Sequence, residues 1–137
     1  MGNGRMQRRV TVIDDSPELL ALFGDLLRHR GVEITLFEAS ATLLEIEESA
    51  PDLLVIDLRL GSESLAGMEI IRLVRAHREM KEVPIIVCSA ALDELARLNG
   101  SLSQIPDLFV LPKPFSLDEL EACVTDALGE QFAAATG

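Results

Sequence analysis

Five chemically distinctive side chains stand where short apolar runs stop. Asp14 and Asp15 follow Val10-Thr11-Val12-Ile13, and Asp57 follows Leu53-Leu54-Val55-Ile56. Ser89 ends Ile85-Ile86-Val87-Cys88, and Lys113 lies within Leu111-Pro112-Lys113-Pro114-Phe115. Apolar runs of this length, bounded by turn residues, read as strands buried on both faces. In open parallel sheets the carboxyl ends of the strands form the functional edge. The chain therefore lines three carboxylates, a hydroxyl and an ammonium along one edge of one sheet.

The elements that position these groups alternate along the chain. Ser16-Pro17-Glu18 supplies an N-cap, a proline at the first helical position and a first-turn acid. Leu19, Leu20, Phe23, Leu26 and Leu27 then repeat at helical spacing as far as a stop at Gly31. A second strand is expected over Val32 to Phe37, and a short helix from about Ala41 to Glu48 behind Ser40. The third strand is Leu53 to Ile56. After Asp57, Leu58 to Ala66 has loop composition, and Gly67 opens a helix that turns Met68, Ile71 and Val74 inward. The fourth strand runs from about Pro84 to Cys88. Ala91 to Asn99 could form two helical turns before Gly100, two serines and Pro106 interrupt them. The fifth strand is Leu108 to Leu111. Ser116-Leu117-Asp118-Glu119 is a capping box that starts a last helix with Leu117, Leu120, Val124 and Leu128 as its stripe. This βα alternation gives a doubly wound α/β sandwich with right-handed crossovers.

A chain of 137 residues with 48% hydrophobic content fits one core and leaves no room for a second folded domain. Residues 1–8 are expected to be a flexible extension, 9–129 the domain and 130–137 a tail. The formal charge of -11 argues against a nucleic-acid surface, which needs clustered positive charge, so proteins or cations are the expected partners. The basic Arg5, Arg8 and Arg9 precede an apolar run too short for a signal-peptide core, and no run approaches a membrane span. The expected compartment is the cytoplasm. Cys88 and Cys123 read as reduced core thiols. His29 and His77 read as solvated helix-end residues, and Glu45, Glu47 and Glu48 as a solvated helix face.

The acidic pair Asp14-Asp15, the lone Asp57, Ser89 followed by Ala90, and Lys113-Pro114-Phe115, in this order and each at a strand end, resemble the receiver domains of two-component response regulators. The resemblance covers about Arg9 to Gly129. It implies a five-stranded parallel sheet in the flavodoxin-like order 2-1-3-4-5, which brings Asp14, Asp15 and Asp57 together. By resemblance Asp57 is the phosphoacceptor and Mg2+ is the cofactor. Asp15 would be a direct metal ligand, Asp14 a ligand through water, and Asp57 and the Arg59 backbone carbonyl further ligands. Lys113 would stabilise phosphoryl charge, Ser89 would be the switch hydroxyl, and Lys113-Pro114 is a site for a cis bond. The mutual repulsion of three close carboxylates would be relieved by raised pKa values or by a cation.

The function implied is acceptance of a phosphoryl group from a sensor histidine kinase or phosphotransfer protein, switching affinity for a downstream protein. A homodimer is compatible with it. Only self-phosphorylation and slow autodephosphorylation are expected, with no enzymatic turnover of a separate substrate. A pseudo-receiver, a phosphate-independent interaction module of the same fold, is the alternative. A dehalogenase-like phosphatase would need Asp-x-Asp after the first strand, where this chain has Asp14-Asp15-Ser16. The chain departs from the family pattern in three places. Val110 stands where a switch aromatic is usual, the loop after Asp57 is long and lacks the usual proline, and the segment after Ser89 is long. Transmission is therefore expected through residues 90–106.

Overall fold

The computed structural model describes residues 7–39, 41–60, 66–90, 100, 102 and 104–129. Five strands, β1 (Arg9–Ile13), β2 (Glu33–Phe37), β3 (Leu53–Asp57), β4 (Ile85–Ser89) and β5 (Leu108–Pro112), form one parallel sheet in the order β2-β1-β3-β4-β5. The described helices are α1 (Pro17–His29), α2 (Leu43–Ser49), α3 (Ala66–Ala76) and α4 (Leu117–Leu128). This is the expected doubly wound architecture.

Strand alternation divides the interior into two cores. On one face Val10, Val12, Leu53, Val55, Ile86 and Cys88 meet Leu20, Phe23 and Leu27 of α1 and Leu120, Val124 and Leu128 of α4. On the other, Ile13, Leu54, Ile56, Ile85 and Val87 meet Ile46 of α2 and Met68, Ile71 and Val74 of α3. The three central strands are buried on both faces apart from Arg9, whereas the edge strands β2 and β5 are half-open because each has one neighbour. Thr11, fully buried, is satisfied by the Ser49 hydroxyl at 2.6 Å, which ties β1 to the end of α2.

Several local expectations need correction. The cap of α2 is Thr42, whose side chain and Glu45 form a reciprocal capping box, so the helix starts at Leu43 rather than Ala41. Leu117 is 50% exposed and does not belong to the inward stripe of α4. It occupies the first helical position, and the stripe is completed by the partly buried Cys123 and Ala127. Asp57 and Ser89 are the last residues of their strands rather than the first beyond them, and β2 begins at Glu33. Val32 N–H instead bonds the Leu27 carbonyl, closing α1 around Gly31, whose φ of 73° needs a residue without a Cβ. His77 is half-buried, with Nε2 3.5 Å from Glu47 and Nδ1 accepting from the Glu79 N–H. Glu47 is correspondingly half-buried. The Ser40 cap, the helical turns over 91–99 and the tail over 130–137 lie outside the described residues, as do residues 1–6 of the extension.

A clamp invisible in the sequence joins α3 to the strand entrances. The Arg75 guanidinium donates to the carbonyls of Val83 (2.7 Å), Pro106 (2.8 Å) and Asp107 (3.3 Å). Its removal leaves carbonyls without a charged donor, so Arg75→Met should cost about 1–2 kcal/mol in urea unfolding. Arg75→Lys should recover only part, because an ammonium cannot reproduce the planar fork. Full stability in Arg75→Met would contradict the clamp.

Candidate functional site

The register of the sheet delivers the site. β1 pairs with β3 through Ile13 and Ile56, so the residues that follow, Asp14-Asp15 and Asp57, emerge side by side. Asp14 is held through both its backbone and its side chain: its N–H donates to the Phe37 carbonyl, and its Oδ1 accepts from Ser16 N–H at 2.9 Å. At only 2% exposed it is not an ordinary surface acid at a helix start. Asp57 is 6% exposed, and its Oδ1 accepts from Arg59 N–H at 3.0 Å. Oxygens of Asp14, Asp15 and Asp57 come within 4.8 Å of one another, with Asp15 the exposed member.

Lys113 reaches this cluster from β5. Its Nζ donates to Asp57 Oδ2 at 2.8 Å and to Asp14 Oδ2 at 3.0 Å. Its backbone N–H bonds the Ser89 carbonyl at 2.9 Å, and the Lys113-Pro114 peptide is cis, as the motif implied. Two residues on, the Phe115 ring meets Phe23 of α1 edge to face, centroids 6.3 Å apart. The lysine loop is thus pinned on both sides of its ammonium. Above the cluster lies a cavity of about 290 Å³ lined by Asp15, Asp57, Arg59, Ser89, Ala90 and Lys113. Ser89 is fully buried. All five strand-end residues, and Arg59, therefore converge.

The electrostatics follow from burial and pairing. Burial pushes Asp14 above its ordinary value of 3.8, against the Ser16 N–H and the Lys113 ammonium. The main cause is desolvation rather than the carboxylate repulsion anticipated from sequence; the Asp57 charge adds least. Burial alone would lower Lys113, but its bonds to Asp57 and Asp14 outweigh that and hold it above 10.5. Burial also raises both thiols, Cys88 far up and Cys123 to about 11, so neither is a ready nucleophile, and both are free.

The donor set fits a magnesium-sized ion: hard carboxylate oxygens, one of them exposed, gathered beside a cavity with room for water. Among the described residues it is the one such group of His, Cys, Asp or Glu side chains. No helix of the described residues is long and apolar enough to cross a membrane.

A family model for the response regulator receiver domain matches residues 10–125. The chain belongs to this family. It is 32% identical over 120 residues to the phosphate regulon transcriptional regulatory protein PhoB of Rhizobium meliloti, covering 87% of this chain and 51% of that protein. It is 31% identical over 128 residues to the sensor histidine kinase TmoS of Ectopseudomonas mendocina, covering 93% and 13% respectively. The receiver chain thus spans about half of the first relative and a small part of the second. The crystal structure of a response regulator receiver protein from Sinorhizobium medicae superposes with a TM-score of 0.70 at 30% identity, over 90% of this chain and 95% of that one. The receiver domain is a component of two-component signalling systems, as the spaced motifs implied.

Among the described residues, the side chains singled out from sequence are those that the structure brings together. Sequence reasoning missed that Lys113 is shared between Asp14 and Asp57 and that Phe115 anchors its loop on Phe23, because neither contact has a signal in local spacing.

The shared ammonium yields a stability prediction. With Lys113→Met, two nearly buried carboxylates lose their counter-charge, costing about 2–3 kcal/mol at pH 7, at or below the low end for a broken buried pair because the cavity opens to solvent. Asp14 sits higher folded than unfolded, and more so without the ammonium. The folded variant then binds more protons than the unfolded chain, so its stability should rise as pH falls through the folded pKa toward 3.8. The gap to wild type should therefore narrow in acid. In wild type, the Lys113 contribution is present below 10.5 and lost as pH rises through its higher folded value. A deficit independent of pH in the variant would contradict this linkage.

Proposed function

We propose that this receiver is a phosphoacceptor that takes a phosphoryl group onto Asp57 with Mg2+ bound and thereby switches its affinity for a partner protein. The observation that carries this reading is the Asp57 carboxylate, 6% exposed, beside an open cavity with an ammonium 2.8 Å away. A carboxylate attacks an anionic phosphoryl group poorly until the charge on its oxygens is neutralised. Asp14, Asp15, Asp57 and the Arg59 carbonyl would hold Mg2+, which when bound supplies part of that neutralisation. Lys113 supplies the rest by passing from Asp57 Oδ2 to a phosphoryl oxygen. In the transfer an Asp57 oxygen attacks phosphorus, the phosphorus bond to the donor histidine nitrogen breaks, and an acyl phosphate forms. Ser89 hydrogen-bonds the attached group through its hydroxyl and draws its loop toward the site. The donor is a sensor histidine kinase or phosphotransfer protein, consistent with the occurrence of the same domain in the histidine kinase relative.

Val110 is 44% exposed and, as a β-branched residue, has few rotamers to exchange. Transmission is accordingly assigned to residues 90–106, most of which lie outside the described residues.

Intact mass after incubation with acetyl phosphate and Mg2+ tests the reading. One phosphoryl group should appear on the wild-type protein and none on Asp57→Asn, while that variant keeps its fold because asparagine preserves shape and removes one charge from a crowded acidic site. No gain on wild type would make the chain a pseudo-receiver. In calorimetry Asp15→Asn should weaken Mg2+ binding more than Asp14→Asn, since it removes a direct charged ligand. Undiminished affinity in Asp15→Asn would reject that ligand assignment.

A further inference from the structure

Gly67, in the first turn of α3, is buried against the backbone that carries Asp57. A Cβ at this position would overlap the Asp57 carbonyl oxygen. It would also lie 2.7 Å from Leu58 Cα and 2.8 Å from the Asp57 carbonyl carbon, distances that real side chains do not adopt. The obstacle is main chain, with no flexible side-chain end to swing away. Gly67 N–H also donates to the Leu58 carbonyl at 2.9 Å, so the first turn of α3 both abuts and hydrogen-bonds the segment leaving β3.

The side chains Leu58 and Leu60 of that segment are buried in the core, but strand pairing supports it on one side alone. Pairing of β3 with β1 stops at Ile56, leaving Asp57 paired only to β4 through Cys88. The Asp57 carboxylate is in turn tied to the same segment through Arg59 N–H and to Lys113 through its second oxygen. α3 itself is held by Met68, Ile70, Ile71 and Val74 in the core, so it cannot retreat freely. Anything that pushes the Asp57-Leu58 peptide moves the carboxylate and the Arg59 carbonyl together.

We infer that Gly67 is a positioning residue for the phosphoacceptor: its missing Cβ lets α3 seat directly on the Asp57-Leu58 peptide and fix the Asp57 carboxylate against Lys113. This rests on the reading of Asp57 as phosphoacceptor. Displacement of a reacting group by about 1 Å costs on the order of 100-fold in rate. Gly67→Ala should thus take up phosphoryl from acetyl phosphate some 10- to 100-fold more slowly, with weakened Mg2+ affinity by calorimetry. The comparison is Val74→Ala, which opens a cavity at the far end of the same helix and destabilises the fold without touching Asp57. Corrected for the folded fraction, Val74→Ala should keep the wild-type rate and Mg2+ affinity. Equal slowing in both variants, or an unchanged rate in folded Gly67→Ala, would overturn the assignment. If Gly67→Ala does not fold, hydrogen exchange on the wild type decides: the Gly67 amide should stay protected on phosphorylation, and loss of that protection would overturn it. Failure of the wild type itself to take up a phosphoryl group would sink the phosphoacceptor reading together with this one, whereas uptake by wild type and by Gly67→Ala at equal rates sinks this one alone.

Discussion

One ammonium shared between two nearly buried carboxylates organises this receiver. Lys113 lies 2.8 Å from Asp57 and 3.0 Å from Asp14, with Asp15 close by. Oxygens of the three carboxylates lie within 4.8 Å of one another, and burial is the main reason Asp14 sits above its ordinary value. Arg59 lines the same cavity as Asp15, and the three carboxylates offer a cation hard oxygens that are already gathered. Stability and reactivity are linked at this point, since the charges that crowd the fold are those the proposed chemistry uses.

The scaffold is arranged to make that crowding possible. Placing β1 beside β3 sets two acidic strand ends next to each other, and β4 and β5 add Ser89 and Lys113 along the same edge. Asp14, Asp57 and Lys113 are each braced by neighbouring backbone groups or ring contacts. Ser16 N–H holds Asp14, Arg59 N–H holds Asp57, the Ser89 carbonyl and the Phe23-Phe115 contact hold the lysine loop, and α3 closes on β3 through Gly67. Such bracing limits rotamer freedom before any ligand arrives, which is how preorganisation lowers the cost of reaction.

The parts legible in sequence were those governed by local pattern. Strands β1, β3 and β4 announce themselves as apolar runs because they are buried on both faces, and α1 and α4 by their caps and stripes. The sheet order came from the family resemblance and was then found in the register. Less legible was whatever depends on three-dimensional neighbours. Thr42 caps α2 because the Thr42-Glu45 pair closes a box, and Leu117 is exposed at the first position of its helix, next to the Ser116 cap. His77 is drawn inward by Glu47, a partner on another helix. Arg75 looks like any charged residue at a helix end, yet it spans three carbonyls.

On the proposed reading the gathered carboxylates of Asp14, Asp15 and Asp57 hold a divalent cation. Urea unfolding across a Mg2+ series measures this directly, because a ligand that binds only the folded state raises stability as RT ln(1 + [L]/Kd). Unfolding free energy should rise logarithmically with Mg2+ at constant ionic strength, and the rise should be lost in Asp15→Asn. A stability that does not respond to Mg2+, or responds equally in Asp15→Asn, would contradict that reading.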